Sequence, residues 1–266
     1  MEKKTFQRFR EVVYEKSGIN LTEGKEALVT ARVGKRMRAL GIPTHEAYLE
    51  YVLNEDTGKE FIHLIDAIST NVTSFFRESN HFDFLAKTMA NWIEKGQTRF
   101  RVWSAASSTG EEPYTIAITM LETAGNRNLD MKILATDIST RVLEQCVRGQ
   151  YTREKVEPVE PRLRDRYFDK IVVDGVQHYV VKDFVKQMVR FRRLNLSTPP
   201  FPMRGPLDVI FCRNVMIYFD NRVRKGILDE ATRLLKPGGY LMVGHAESLT
   251  GMLTRLKTVC PSTYVK

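Results

Sequence analysis

Several signals that would class this chain at a glance are missing. Its 266 residues hold only 3 cysteines, Cys146, Cys212 and Cys260, at spacings that form no disulfide framework. The 5 histidines are scattered without metal-ligand spacing, so no metal is expected. No apolar run approaches membrane-spanning length, which excludes a hydrophobic spanning helix. The start, MEKKTFQRFREVV, has no signal-peptide apolar stretch. No internal repeat or low-complexity tract is visible, which argues against a solenoid or a disordered tail. A reduced, cytosolic, metal-free protein is the expectation.

What is present is ordinary for a globular chain. Hydrophobic residues make up 42% and charged residues 27%, enough to bury a core. The length suits one α/β domain plus a smaller module. Acids are outnumbered, 32 against 41 Lys and Arg, for a net charge of +9. That excess points to an acidic partner (nucleic acid, anionic lipid or an acidic protein surface), or only to solubility, and charge alone does not choose.

Residues 1–70 read as helices. FQRFREVVYEKSGI spaces Phe6, Phe9, Val12 and Val13 on one face, with Gly18 as its stop. EGKEALVTARVGKRMRAL follows and ends at Gly41. Arg32, Lys35, Arg36 and Arg38 cluster on it with no acid between Glu26 and Glu46, and the first three share a face. THEAYLEYVLN and KEFIHLIDAIS complete a helical module. From about residue 99 strands and helices alternate. Strands are predicted at Phe100–Ser104, Lys132–Ala135, Val189–Leu194, Asp208–Cys212 and Tyr240–Gly244, and helices near 112–124, 139–147 and 221–235. That alternation predicts a mostly parallel sheet wrapped by helices. In LLKPGGYLMVG the helix is expected to stop at Lys236 before a Pro-Gly-Gly turn. Residues 150–188 interrupt the pattern with a charged helix and two β-rich runs around Asp174-Gly175, a hairpin signal.

The chemistry-bearing stretch is VWSAASSTGEEPYTIA. A strand leads into Ser104-Ala105-Ala106-Ser107-Ser108-Thr109-Gly110, whose small residues let a ligand approach the backbone closely. The spacing is not G-x-G-x-x-G, and Glu111 and Glu112 would repel a pyrophosphate at the helix N-terminus. An ammonium, a sulfonium or ribose hydroxyls suit those acids better. Asp137, ending ATD, stands where such folds keep an acid for ribose hydroxyls. Loop, acid and KPGG turn in this order point to an S-adenosylmethionine site.

ISTNVTSFFRE (68–78), VWSAASSTGEEPYTIAITM (102–120), ATDIS (135–139), FCRNVMIYFD (211–220) and LLKPGGYLMVGHAES (234–248) together resemble one family over nearly the whole chain. It is the CheR-type family of chemoreceptor glutamate O-methyltransferases. The resemblance implies an α/β fold: a Rossmann-like S-adenosylmethionine-dependent methyltransferase sheet over 71–266, an N-terminal all-helical domain over 1–70, and a small β-rich insertion at 150–188. It implies methyl transfer from S-adenosylmethionine to glutamate side chains of bacterial chemoreceptors, yielding glutamyl methyl esters and S-adenosylhomocysteine. Cofactor contacts carry over onto Asn71, Thr73, Arg77, Glu112, Asp137, Asn195, Leu196, Arg213 and Asn214.

A carboxylate is deprotonated at neutral pH and attacks a sulfonium methyl without a general base, so no Ser-His-Asp set is needed. Arg77 is the candidate to orient the incoming glutamate, and Tyr218 to hydrogen-bond near the reacting atoms. The rival readings are plainer: Arg77 pairing with Glu78, Tyr218 as a packed aromatic, Phe75 and Phe76 as core. Glu111 reads as a solvated first-turn residue and His245 as structural. On the enzyme reading Arg32, Lys35, Arg36 and Arg38 would steer Glu-rich receptor methylation helices. The expected state is a cytoplasmic monomer recruited to membrane receptor arrays, without nucleic acid or membrane insertion. A nucleic-acid methyltransferase is the first alternative, prompted by the charge and by Thr198-Pro199-Pro200-Phe201. A non-catalytic S-adenosylmethionine-binding module is the second.

Overall fold

Hydrophobic spacing sets the first four helices, α1 (Lys3–Ser17), α2 (Glu26–Leu40), α3 (His45–Asn54) and α4 (Lys59–Ile68). The computed structural model describes residues 1–69, 72–249, 251–252 and 255–266. Helix α1 buries Phe6, Phe9 and Val13 on one stripe, and Gly18 ends it at φ 73°. Helix α2 buries Val29, Val33 and Met37 at intervals of four. Thr44 caps α3, its hydroxyl accepting from the Ala47 N–H at 3.2 Å.

The alternating part follows as α5 (Asn80–Glu94), β1 (Arg99–Ala105), α6 (Glu111–Ala124), β2 (Asp130–Asp137) and α7 (Thr140–Arg148). Next come β3 (Gln150–Thr152), α8 (Arg153–Val156), α9 (Pro161–Tyr167), β4 (Phe168–Val173), β5 (Val176–Val181) and α10 (Asp183–Lys186). The chain closes with β6 (Val189–Arg193), β7 (Leu207–Cys212), α11 (Asn221–Leu234), β8 (Leu235–Val243), β9 (Lys257–Cys260) and β10 (Thr263–Val265). The main sheet runs β6-β2-β1-β7-β8-β10-β9. Its first five strands pair parallel, and β10 runs antiparallel to β8 and β9. The smaller sheet, β3-β5-β4, is built on the predicted hairpin. Its two turn residues, Asp174 and Gly175, sit at φ 50° and 75°, as a tight hairpin turn requires.

All six residues of β7 are buried, as befits a strand covered on both faces. Alternate side chains feed two cores. Phe100, Val102, Val209 and Phe211 join Leu85, Met89 and Ile116 from α5 and α6. On the other face Trp103, Ile210 and Cys212 pack with Leu228 and with Phe9, Val33, Tyr48 and Leu64 of the N-terminal helices. Those helices therefore share a core with the sheet, which brings the ends of α1 and α4 to its strand ends. Trp103, 1% exposed, sits at that junction, and truncating it to Ala would cost about 3–5 kcal/mol.

One expected boundary is corrected. The last long helix ends at Leu234, not Lys236, and the Pro-Gly-Gly stretch is a bulge within β8. Pairing with β7 jumps from Leu207↔Leu235 to Val209↔Tyr240. Lys236 is held at the sheet by Asp208, 2.5 Å away, and by the Trp92 ring at 3.9 Å. Among the described residues no helix is long and apolar enough to cross a membrane.

Candidate active site

Strand order turns between β1 and β7, and a ligand crevice is expected where it does. The loops leaving β1, β2 and β7 enclose a cleft of about 990 Å³, open mouth included. Ala106, Ser108, Asp137, Asn214 and Tyr218 line it, and Ile65, Asp66 and Ser69 close it from the N-terminal helices.

Backbone strain concentrates in the same loops. Among the described residues, Phe76, Glu78, Ala106, Ser108 and Asn214 account for five of the seven non-glycine positive φ values. Each such residue costs of order 1–3 kcal/mol and persists only where its surroundings hold it. Gly110 ends the loop after β1 at φ 98°, and a Cβ there would stand 2.7 Å from the Tyr151 hydroxyl oxygen.

Asp137 ends β2, its carboxylate accepting from the backbone N–H of Ser108 at 2.9 Å and of Ser139 at 3.0 Å. Among the described residues no cation pairs with it. Burial pushes its pKa up to about 6; the N–H bonds oppose the shift and nearby Asp66 adds to it. Asp66 pairs through one oxygen with Arg141 at 2.8 Å, while its Oδ1 is buried without a partner among the described residues. An acid without a counter-ion and a free buried acceptor fit hydroxyl and amino donors, not phosphate.

Across the cleft Arg213, its side chain 1% exposed, lies 3.0 Å from both Glu78 and Glu112. It also donates to the Arg77 carbonyl. Ser104 Oγ donates to Glu112 at 2.7 Å and Asn214 Nδ2 to Glu78 at 3.2 Å. One guanidinium between two carboxylates leaves a negative charge over, which suits an ammonium. Burial raises the Glu112 pKa although Arg213 and Ser104 resist it. Burial also pushes Glu78 upward, but there Arg213 and Asn214 win and hold its carboxyl below the usual range. Glu247 fastens this wall, accepting from the N–H groups of Asn214 at 2.6 Å, Gly244 at 2.7 Å and Ile217 at 3.2 Å. Gly244 must be glycine, because a Cβ would sit 2.9 Å from the Asn214 backbone nitrogen.

Thr73, Arg77, Glu112, Asp137, Asn195, Leu196, Arg213, Asn214 and Tyr218 all line the cleft. Asn71 lies outside the described residues. Arg77 does not pair with Glu78; its Nη1 donates to the Val72 carbonyl at 2.7 Å and closes its own loop. Asn195 spends its side chain on structure, donating to the Lys16 carbonyl at 2.9 Å and accepting from Ser197. Phe75 is core, edge-on to Tyr151 and Phe168. Thr198-Pro199-Pro200-Phe201 is absent from the described lining; Phe201 is buried edge-on against Trp103.

Two expectations are corrected. Glu111 is not solvated: it is 0% exposed, because Lys155 of α8 covers it at 3.0 Å and Thr109 donates to it at 2.6 Å. The basic stretch of α2 is not one free face. Arg36 forks onto Glu60 with bonds of 2.9 and 2.6 Å, and Arg32 donates to the Ile68 and Ser69 carbonyls, both at 3.1 Å, at the end of α4. Lys35 and Arg38 remain exposed. Sequence reasoning missed Asp66, Glu78 and Glu247 as parts of the site. Glu78 carried a signal, its place beside Arg77; Asp66 carried none beyond being an acid on an apolar helix.

This strand order, with an acid ending β2 and a small-residue loop after β1, defines the class of S-adenosylmethionine-dependent methyltransferases. Residues 71–265 match the model of the CheR methyltransferase SAM binding domain, and residues 4–69 that of the CheR methyltransferase all-alpha domain. The chemotaxis protein methyltransferase of Borreliella burgdorferi is 39% identical over 272 residues, covering 99% of this chain and 94% of that protein. The Escherichia coli chemotaxis protein methyltransferase is 37% identical over 250 residues, covering 94% and 86%. The chain belongs to the CheR family of chemotaxis methyltransferases.

Proposed function

We propose that this chain methylates glutamate side chains of chemoreceptors, forming γ-glutamyl methyl esters with S-adenosylmethionine as donor. The supporting observation is the make-up of the cleft. Among its described lining residues there is no histidine, lysine or cysteine to take a proton from an acceptor. Each of its own acids is bonded through at least one oxygen, Glu112 to Arg213, Asp66 to Arg141, and Asp137 to two N–H groups. An acceptor that needs no deprotonation, a carboxylate, matches such a site.

Bound S-adenosylmethionine would supply an electrophilic methyl group. Asp137 would accept from its ribose hydroxyls, and the charge that Glu78 and Glu112 leave over around Arg213 would draw in its ammonium. Arg77, with Nη1 tied to Val72, has its other N–H groups to orient the glutamate carboxylate. Tyr218, half-buried, lines the same cleft. The gain is alignment and exclusion of water rather than proton transfer. Lys35 and Arg38 present exposed charge to the Glu-rich acceptor helices.

The test is incubation with methyl-labelled S-adenosylmethionine and receptor-containing membranes, then mild alkali. Label leaving as volatile methanol is the expected result. Label that survives alkali on protein or nucleic acid would overturn the carboxylate reading.

A further inference from the structure

Two histidines far apart in sequence meet beside the cleft. His81, in the first turn of α5, and His245, just past β8, have ring centroids 5.2 Å apart. Glu78 Oε2 lies 3.5 Å from His81 Nδ1. One ligand-type atom from each of Glu78, His81 and His245 lies within 4.8 Å of the other two. None of the three is among the described lining residues of the cleft, which the cluster touches only through the bonds of Glu78 to Arg213 and Asn214.

His81 is the observation that asks for an occupant. It is 1% exposed, yet neither ring nitrogen has a hydrogen-bond partner among the described residues. Buried polar atoms are almost always satisfied, and an exception points to a water or an ion. Burial also keeps the imidazole neutral, its pKa lowered to about 4, so a ring lone pair is available. The charge facing His81 is mixed, the Glu78 carboxylate being opposed by the Arg213 guanidinium, so it is the unpartnered ring nitrogens and the ligand geometry that point to an ion. Glu78 and Glu112 share the one buried guanidinium of Arg213, and Glu247 is bonded into the same wall through the Asn214 N–H.

We propose that Glu78, His81 and His245 form a binding site for a divalent transition-metal ion of the zinc class. Two imidazoles and one carboxylate are a common ligand set for such ions, and three protein ligands leave a fourth position for water. Tetrahedral zinc spaces its ligand atoms about 3.3 Å apart, so the cluster must tighten by roughly 1.5 Å at its widest. Exposed His245 can supply that movement by turning its ring. The ion would clip the loop carrying Arg77 to the end of β8, bracing one wall of the cleft without entering the methyl transfer. This departs from the metal-free expectation, because a sequence scan sees only spacing along the chain.

The test uses the full chain stripped by chelator, with Zn²⁺ followed by calorimetry and Co²⁺ by visible absorption. One equivalent of Zn²⁺ is expected, with tetrahedral Co²⁺ bands and a rise in Tm. His245→Ala removes an exposed ligand and should weaken Zn²⁺ binding by about a hundredfold, the upper end of what even outer-shell changes cause. His178→Ala, in the hairpin, should leave binding unchanged. No uptake by the stripped chain, or uptake that survives His245→Ala, would overturn the proposal.

Discussion

In the N-terminal helices Arg36 meets Glu60 in a two-bond fork, and Tyr48 donates a third bond to the same carboxylate at 2.8 Å. One positive charge answers one negative charge, and the Glu60 carboxyl is held below its usual range. Burial alone would raise it, but Arg36 and Tyr48 outweigh that. At the cleft Arg213 divides itself between Glu78 and Glu112, and one of those two acids keeps a raised pKa. Both arrangements bury ionised groups and both join segments distant in sequence. A balanced pair serves the fold. An unbalanced one, set among strained loops, leaves charge for a ligand to complete.

The sharpest break of this contrast is Arg213→Met. It leaves two buried carboxylates facing each other, so stability should fall by about 3–5 kcal/mol in urea unfolding, and S-adenosylmethionine binding should vanish. Normal binding by the folded fraction would mean that the cleft does not depend on this charge. Asp137→Ala comes next. Losing charged acceptors for ribose hydroxyls should raise the cofactor Kd roughly a hundredfold by calorimetry. The same group gives a pH signature. Its folded pKa of about 6 lies above 3.8, so the free protein gains stability from it at low pH and loses that as pH rises through 6. Ribose donors favour the ionised form, so affinity should run the other way, weakening by up to about tenfold per pH unit below 6. Asp137→Asn should flatten that slope.

Arg36→Met probes the balanced side. Arg36 is 29% exposed and Glu60 4%, so water can reach the orphaned acid only in part. A loss of about 1–3 kcal/mol is expected, with cofactor Kd unchanged. The smallest effect belongs to the exposed charges. Lys35→Glu with Arg38→Glu should slow receptor methylation about threefold to tenfold at low salt and much less at high salt. A salt-independent loss would point to misfolding rather than steering.

Much of this was legible beforehand, because the relevant physics is local. DVIFC reads as a strand, Asp174-Gly175 as a hairpin turn, and ATD as a strand ending in an acid. What was misread shares one cause. The burial of Glu111 depends on Lys155, 44 residues on, and the engagement of Arg36 on Glu60, 24 residues on. A first-turn glutamate or a helical arginine looks solvent-facing until the element that covers it is placed. Lys236 was assigned to a helix for the same reason, since its hold is the Asp208 carboxylate of the neighbouring strand.

From its residues alone this chain determined its N-terminal helices, the five strands of its parallel sheet, its family, and an acid at the end of β2, while α5, β9 and β10 went unpredicted. Side-chain periodicity and turn chemistry act over a few residues, so those features are written where they occur. Tertiary structure decided which charges are balanced and which are not, and it brought Asp66 to the cleft and His245 to His81. Those outcomes depend on contacts such as Arg213 with Glu78, 135 residues apart, and burial strengthens such contacts only once the fold has excluded water.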